Sequence, residues 1–190
     1  MEKIRELFDN IIRLTDAEFN YYQQKISSKD YKKGDIITPK GSVEHYAYYI
    51  KKGIVRRFIE RGETEATFYF AFEHDFVSAY DSFITQTPCR YSLQALEDTS
   101  LLRISWHDVQ DLYQQSSKWD KIGRILNEQA YVERADREFS LLTKSPQERY
   151  ENLFKQNPEV IKRIPLKYIA SYIGVTPQAL SRIRRRIFLT

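Results

Sequence analysis

The spacing of apolar positions changes twice along the chain. Ile4, Leu7, Phe8 and Ile11 fall on one face of an opening helix, and Thr15 followed by Glu18 has the pattern of a capping box before a second short helix. From about Tyr31 to Trp106 the period shortens to two. Tyr46, Tyr48 and Ile50 alternate with other residues, as do Ala66, Phe68, Phe70 and Phe72, then Tyr91, Leu93 and Ala95, then Leu102, Ile104 and Trp106. Lys33-Gly-Asp, Lys40-Gly, Lys52-Gly and Arg61-Gly punctuate these segments as turns. No helical crossover lies between them, so they predict an antiparallel barrel or roll rather than a parallel sheet. Such a roll encloses a ligand or is filled by its own aromatic side chains.

After Trp106 the helical period returns. Asp108 to Gln115 predicts a short helix, and about Lys118 to Leu142, with no Pro and a single Gly, predicts a long one. Ile125, Val132 and Phe139 are spaced by seven, with Ala135 and Leu142 at complementary positions, so a narrow apolar seam runs along this helix. Trp119, Ile122 and Leu126 occupy a different face. Two faces imply two neighbours: the roll, and the same helix of a second chain. A monomer that buries both faces internally is the alternative, because Glu128 interrupts the heptad. Thr143-Lys-Ser-Pro146 then breaks the helix and marks a hinge.

Beyond the hinge, Leu166, Ile169, Ala170 and Ile173 share one face of a two-turn helix that Gly174 ends. Val175 plugs the corner, Thr176 accepts from amides at the next helix start, and Pro177 suits the first helical position. In the second helix Leu180, Ile183 and Ile187 face inward, while Gln178, Ser181, Arg182 and Arg185 follow i, i+3, i+4, i+7 on the opposite side. This is the pattern of a helix-turn-helix whose outer face reads duplex DNA: Gln pairs with adenine, Arg with guanine, and Ser with bases or phosphate. Arg184 and Arg186 flank the stripe, where they grip the backbone. An ordinary helical hairpin with a solvated basic face is the alternative.

Charge separates the same way. From Lys144 onward ten Lys and Arg stand against three Glu, a net of +7, whereas residues 1 to 143 hold twenty basic and twenty-three acidic residues, a net of −3. A basic module on a slightly acidic body matches what phosphate neutralisation requires. The 190 residues allow one sizeable core and a small appendage. The opening residues carry no continuous apolar run and no stretch reaches 18 apolar residues, which predicts a cytoplasmic protein with no membrane span. The single Cys89 excludes an internal disulfide and a four-thiolate cluster, and its expected state is a buried, inert thiol. His45, His74 and His107 are far apart and predict no metal site.

The order of roll, long helix and helix-turn-helix resembles the Crp/Fnr family of bacterial transcription regulators over nearly the whole length. The resemblance rests on Lys33-Gly-Asp-Ile-Ile with Gly41, Tyr48-Tyr-Ile-Lys-Lys-Gly53 with Val55, Asp75-Phe76, Gln94-Ala-Leu-Glu-Asp98, Ser145-Pro-Gln-Glu-Arg149 and the helix-turn-helix. It implies an α+β fold. An N-terminal antiparallel β-roll of the cyclic-nucleotide-binding type, a double-stranded β-helix with flanking helices, occupies 1–116. A long dimerisation helix follows at 117–143 and a small α-helical DNA-binding domain at 144–190. It further implies a homodimeric regulator without enzymatic activity or cofactor, with Gln178 and Arg182 where family members place base-contacting side chains; together with the helix pattern above, the expected DNA contacts are Thr176, Gln178, Ser181, Arg182, Arg184, Arg185 and Arg186. RNA polymerase and an unidentified small-molecule effector are the implied further partners. Pro177 replaces a polar residue often found at its position, which removes one usual contact.

The sequence also departs from that family. Cyclic-AMP-responsive members carry a Gly-Glu pair after the Asp-Phe stretch and an Arg followed by Ser or Thr on the next strand; this chain has Ser78-Ala79, and Ala offers no side-chain acceptor for a ribose hydroxyl. Anchoring the register on Gln94-Ala95 places Cys89 at the phosphate position and turns Arg90 to the opposite face of a strand, towards solvent. The expectation is a regulator unresponsive to cyclic AMP, with Ser78, Ala79, Tyr80, Arg90 and Tyr91 left as candidates for lining a different pocket. Only Phe188-Leu-Thr190 follow Ile187, so the usual β-hairpin wing is expected to be missing, with Ile187 and Phe188 closing the small core. Two other readings compete: a sensory module whose terminal helices dock a protein, and a metal enzyme built on the roll, which lacks clustered His and Glu ligands.

Overall fold

Helix α1 (Glu2–Ile11) buries Ile4 and Phe8 from its predicted apolar face. Helix α2 (Asp16–Gln24) starts on the predicted capping box: the Glu18 amide donates to Thr15 Oγ1 at 3.2 Å, and the Thr15 amide donates to the Glu18 carboxylate at 2.7 Å. The structure is a computed structural model. It describes residues 1–190 apart from Glu63, Asn157, Glu159, Leu189 and Thr190, and apart from the side chains of Gln156, Ile161 and Phe188.

The alternating segments form the predicted antiparallel roll. Strands β1 (Ser27–Tyr31), β2 (Ile36–Thr38), β3 (Tyr46–Lys52), β4 (Val55–Arg61), β5 (Thr64–Ala71), β6 (Phe76–Val77), β7 (Ser92–Ala95) and β8 (Thr99–Ser105) make two four-stranded sheets, ordered β1-β8-β3-β6 and β2-β7-β4-β5. A short helix, α3 (Tyr80–Thr85), lies between β6 and β7. Much of the pairing joins distant segments: Ser27 of β1 lies opposite Arg103 of β8.

Two strand expectations need correction. Strand β1 begins at Ser27, before the predicted start near Tyr31, and its residues are mostly exposed; it exists through its pairing with β8, which no local alternation encodes. Strand β5 ends at Ala71, so Phe72 does not extend the series Ala66, Phe68, Phe70; the Phe72 amide donates to the Asp75 carboxylate at 2.8 Å in the following turn. Thr67 and Ala71, on the supposed outer side, are more buried than Phe70, because β5 is covered on both faces.

After β8 come α4 (Trp106–Gln115), α5 (Ser117–Thr143), α6 (Pro146–Gln156), α7 (Val160–Arg163), α8 (Leu166–Ile173) and α9 (Pro177–Phe188). The chain divides into two compact units, Met1–Arg57 with Phe70–Ala130 and Phe58–Tyr69 with Tyr131–Thr190. In the first, Phe8, Tyr22, Trp119 and Ile122 pack with Tyr49, Leu102 and Ile104 of the sheet, and Phe8 meets Trp119 edge-on at 5.7 Å. Lys118 pairs with Glu18 at 2.8 Å. The predicted Trp119 and Ile122 face of α5 is thereby accounted for. In the second unit Tyr150, Leu153, Val160, Ile164, Ile169, Ile173 and Leu180 are buried. Among the described residues no helix is long and apolar enough to cross a membrane.

Candidate nucleic-acid interface and the interior of the roll

Helix α8 buries Ile169, Ala170 and Ile173, three of its four predicted inner positions, and Leu166 is half-buried. It ends at Gly174, whose φ of +78° lies in the left-handed region, with the Val175 amide bonded to the Ala170 carbonyl at 2.9 Å. Thr176 Oγ1 then accepts from the Ala179 amide at 3.2 Å, and Pro177 opens α9. Leu180 is buried and Ile183 and Ile187 are half-buried, so α9 has its inner face where its spacing predicts.

On the opposite face Gln178, Ser181, Arg182 and Arg185 are all exposed, as are Thr176 and Arg186. Among the described residues neither Arg182 nor Arg185 makes an ion pair. The Ser181 hydroxyl donates to the Pro177 carbonyl at 3.0 Å, one turn back along its own helix. Arg184 differs from its neighbours: it is half-buried beside Tyr150, whose phenol is pushed up by burial while Arg184 acts to lower it. The Phe188 side chain, expected to help close the core, lies outside the described residues.

The module is anchored by Arg149 of the Ser145-to-Arg149 motif. Its guanidinium donates to the carbonyls of Ile173 at 2.8 Å and Leu141 at 3.5 Å, and also to that of Lys144. One side chain thus serves free carbonyls at the C-terminal ends of both α8 and α5. Ser145 and Glu148 cap α6 reciprocally, and the Ser145 hydroxyl and amide hold the Glu148 carboxyl below the usual range.

Along α5 the seam residues differ in exposure. Ile125 and Ala135 are half-buried, whereas Val132, Phe139 and Leu142 are exposed, Phe139 by 66% and Leu142 by 84%; Tyr131 beside them is exposed too. Large apolar side chains facing water in a row are unusual and mark an interaction surface.

The five pocket candidates of the roll engage mainly with the protein itself. Ser78 is buried and donates to the Tyr46 carbonyl at 2.9 Å, and Ala79 is fully buried. Tyr80 is half-buried and stacks on Phe83 with ring centroids 6.2 Å apart. Arg90 is exposed and pairs with Asp81 at 3.2 Å, while the Tyr91 hydroxyl donates to the same carboxylate at 2.6 Å. Burial would raise the Asp81 carboxyl, but Tyr91 and Arg90 hold it below its ordinary value. Arg90 does face solvent, though for a different reason from strand alternation: β7 starts at Ser92, so Arg90 and Tyr91 lie in the preceding bend, where Asp81 takes them both.

Sequence reasoning missed the centre of this region. Glu44 is 2% exposed, and its carboxylate accepts from Thr38 Oγ1 at 2.6 Å, the Tyr46 amide at 3.0 Å, the Tyr48 hydroxyl at 3.2 Å and, more distantly, the Ala79 amide at 3.5 Å. Burial pushes its carboxyl up and these donors act against that shift. Arg56 is also fully buried, with Nε donating to Gln94 at 2.8 Å. Neither residue stands out from its polar neighbours in the sequence. Cys89 is buried as expected, its thiol 2.8 Å from the Ser42 carbonyl.

Comparison with known proteins fits this geometry. No curated protein matches the chain in sequence. By fold it is similar to FixK2 from Bradyrhizobium japonicum, with 15% identity, a TM-score of 0.75, and coverage of 86% of this chain and 85% of that one. It is also similar to CLP of Xanthomonas campestris, a c-di-GMP-responsive global regulator, with 16% identity, a TM-score of 0.71 and 92% of each chain covered. A third similar structure, from Eubacterium rectale and assigned to the crp/fnr family of transcriptional regulators, has 19% identity and a TM-score of 0.71 over 96% of this chain and 86% of that one. Residues 28–116, from β1 to the end of α4, match the family model of the cyclic nucleotide-binding domain, so the roll is built on that domain's plan within a chain that shares these regulators' fold.

Proposed function

We propose that the chain is a homodimeric, sequence-specific DNA-binding transcription regulator of the Crp/Fnr type that does not respond to cyclic AMP. The observation that carries this reading is the exposed stripe of Gln178, Ser181, Arg182 and Arg185 on the second helix of a correctly capped helix-turn-helix. Side chains of these types on one face of a helix fit the donor and acceptor pattern of the major groove, and Arg186 beside them is exposed. Val132, Phe139 and Leu142 supply a face for a second copy, which gives two reading heads for half-sites about one helical turn apart. The regulators of similar fold support the same reading.

Insensitivity to cyclic AMP follows from Ser78 and Ala79 at the place of the Gly-Glu pair and from the engagement of Arg90 with Asp81. Another effector would have to compete with these internal bonds, and contact with RNA polymerase follows only from the resemblance. Selection of bound duplexes from a random pool tests the proposal. A recovered palindrome is the expected result; a full-length dimer that prefers no duplex over heparin at low salt overturns it and favours a protein-docking role for the terminal helices.

A further inference from the structure

The tip of the β4–β5 hairpin, 58–69, belongs to the same compact unit as the helix-turn-helix. Strand β5 ends its sheet order, and two groups of one edge, the Glu65 carbonyl and the Thr67 amide, meet a single side chain of α8. The Thr67 amide donates to Ser171 Oγ at 2.7 Å, and the Ser171 hydroxyl donates to the Glu65 carbonyl at 3.2 Å. A hydroxyl both accepts and donates, so Ser171 serves this edge as a neighbouring strand would.

Arg137 of α5 completes the joint. Its Nε donates to the Phe68 carbonyl at 2.9 Å, a terminal nitrogen donates to the Tyr172 carbonyl, and the guanidinium lies 3.6 Å from the centroid of the Tyr172 ring. One planar cation therefore touches the hairpin and α8 at once, by charge-assisted bonds and by stacking. Among the described residues it makes no ion pair with a carboxylate, so its bonds go to the neutral groups whose geometry it joins. Burial accordingly lowers its pKa.

We infer that Arg137 and Ser171 are positioning residues that fix the orientation of α8 and α9 on the long helix, and thereby set the one half-site spacing the dimer accepts. The inference rests on the DNA-binding reading above. Two heads engage one duplex only if their separation matches the groove repeat, and the second contact adds affinity through effective concentration that vanishes when the geometry does not span the sites. A head loosened on α5 keeps its own base contacts; what it loses is the advantage of binding both half-sites together.

The test compares the full-length protein with Arg137→Ala, Arg137→Lys and Ser171→Ala. The duplexes are the selected palindrome, the same duplex with one half-site scrambled, and palindromes with base pairs inserted between the half-sites. Arg137→Ala should bind the intact palindrome about tenfold more weakly or worse, stay within about twofold on the single half-site, and tolerate inserted base pairs better. Ser171→Ala should change in the same direction by less, and Arg137→Lys should fall between the parent and Arg137→Ala. Equal losses on both duplexes, or an unchanged spacing preference, overturn the inference. Should Arg137→Ala fail to fold, Ser171→Ala decides by the same two criteria, since it removes a single hydroxyl. If the parent protein binds no duplex, the DNA-binding reading itself fails and the inference falls with it.

Discussion

The roll and the terminal helix pair α8–α9 use similar side chains in opposite ways. In the roll, Glu44 accepts from two hydroxyls and backbone amides, Arg90 and Tyr91 share Asp81, and Arg56 reaches Gln94. On α9, Arg182 and Arg185 face water, and among the described residues neither makes an ion pair. A ligand binding at these groups must displace bonds the fold already makes, and groups left behind are costly to leave unsatisfied. A polyanion reaching Arg182 and Arg185 has no ion pair to break there among the described residues, and counterion release favours binding. The polar groups described in the roll hold a shape, whereas Gln178, Arg182 and Arg185 on α9 are exposed to a partner.

The largest expected effect breaks the first half of that contrast. Glu44→Ala removes the shared acceptor and leaves Thr38, Tyr48 and the Tyr46 amide facing an apolar hole, so urea unfolding should lose about 3 kcal/mol of stability. A loss within 0.5 kcal/mol, roughly the level of an ordinary surface change, would mean that water serves these donors equally well.

The second half is tested at Arg182. Its replacement by Ala should weaken the cognate site by about 1 to 3 kcal/mol and relax selectivity there, measured by titration against the selected duplex and its base substitutions. Equal weakening on every sequence would make Arg182 a phosphate contact. Arg90→Ala, a change to another exposed arginine, in the roll, should leave DNA affinity where it was. A smaller effect separates neighbours on α9. Arg186→Ala should lower the slope of log affinity against log salt by about one, and Arg184→Ala by less, because Arg184 is half-buried beside Tyr150. Equal changes in slope would put both at the backbone.

What was legible beforehand follows the same division. The α8–α9 pair is written locally: Gly174, Thr176 and Pro177 are neighbours, and every inner or outer position of α9 lies within two or three turns. The capping box of α2 and the bounds of α5 were legible for the same reason. The roll is not local. Strand β1 forms only against β8, β5 is covered on both faces, and Arg90 takes its direction from Asp81 rather than from a strand. Nothing in the local sequence singles out Glu44 or Arg137, because burial depends on what packs over them. The placement of the hairpin tip with the helix-turn-helix was equally invisible, since its contacts with Ser171 span more than 100 residues.

The smallest effect concerns the sign of a pH dependence and bears directly on how the roll holds its charge. Burial raises the Glu44 carboxyl above its ordinary value of 4.5, so the folded state binds that proton more tightly than the unfolded chain does. The stabilisation this provides is complete below about pH 4.5 and is lost as pH rises through the raised folded value. Glu44→Gln cannot titrate, yet it keeps an acceptor of similar shape. Its destabilisation should therefore be greatest in acid and shrink towards neutral pH. Glu18 provides the opposite case: its bond to Lys118, with the Thr15 amide, holds it near 2, so its contribution is present above about pH 4.5 and disappears as pH falls towards 2. Urea unfolding of Glu44→Gln and Glu18→Gln at a series of pH values should give penalties of opposite slope. A flat profile for Glu44→Gln would mean that its four donors cancel the burial, leaving a carboxylate as comfortable inside the roll as in water.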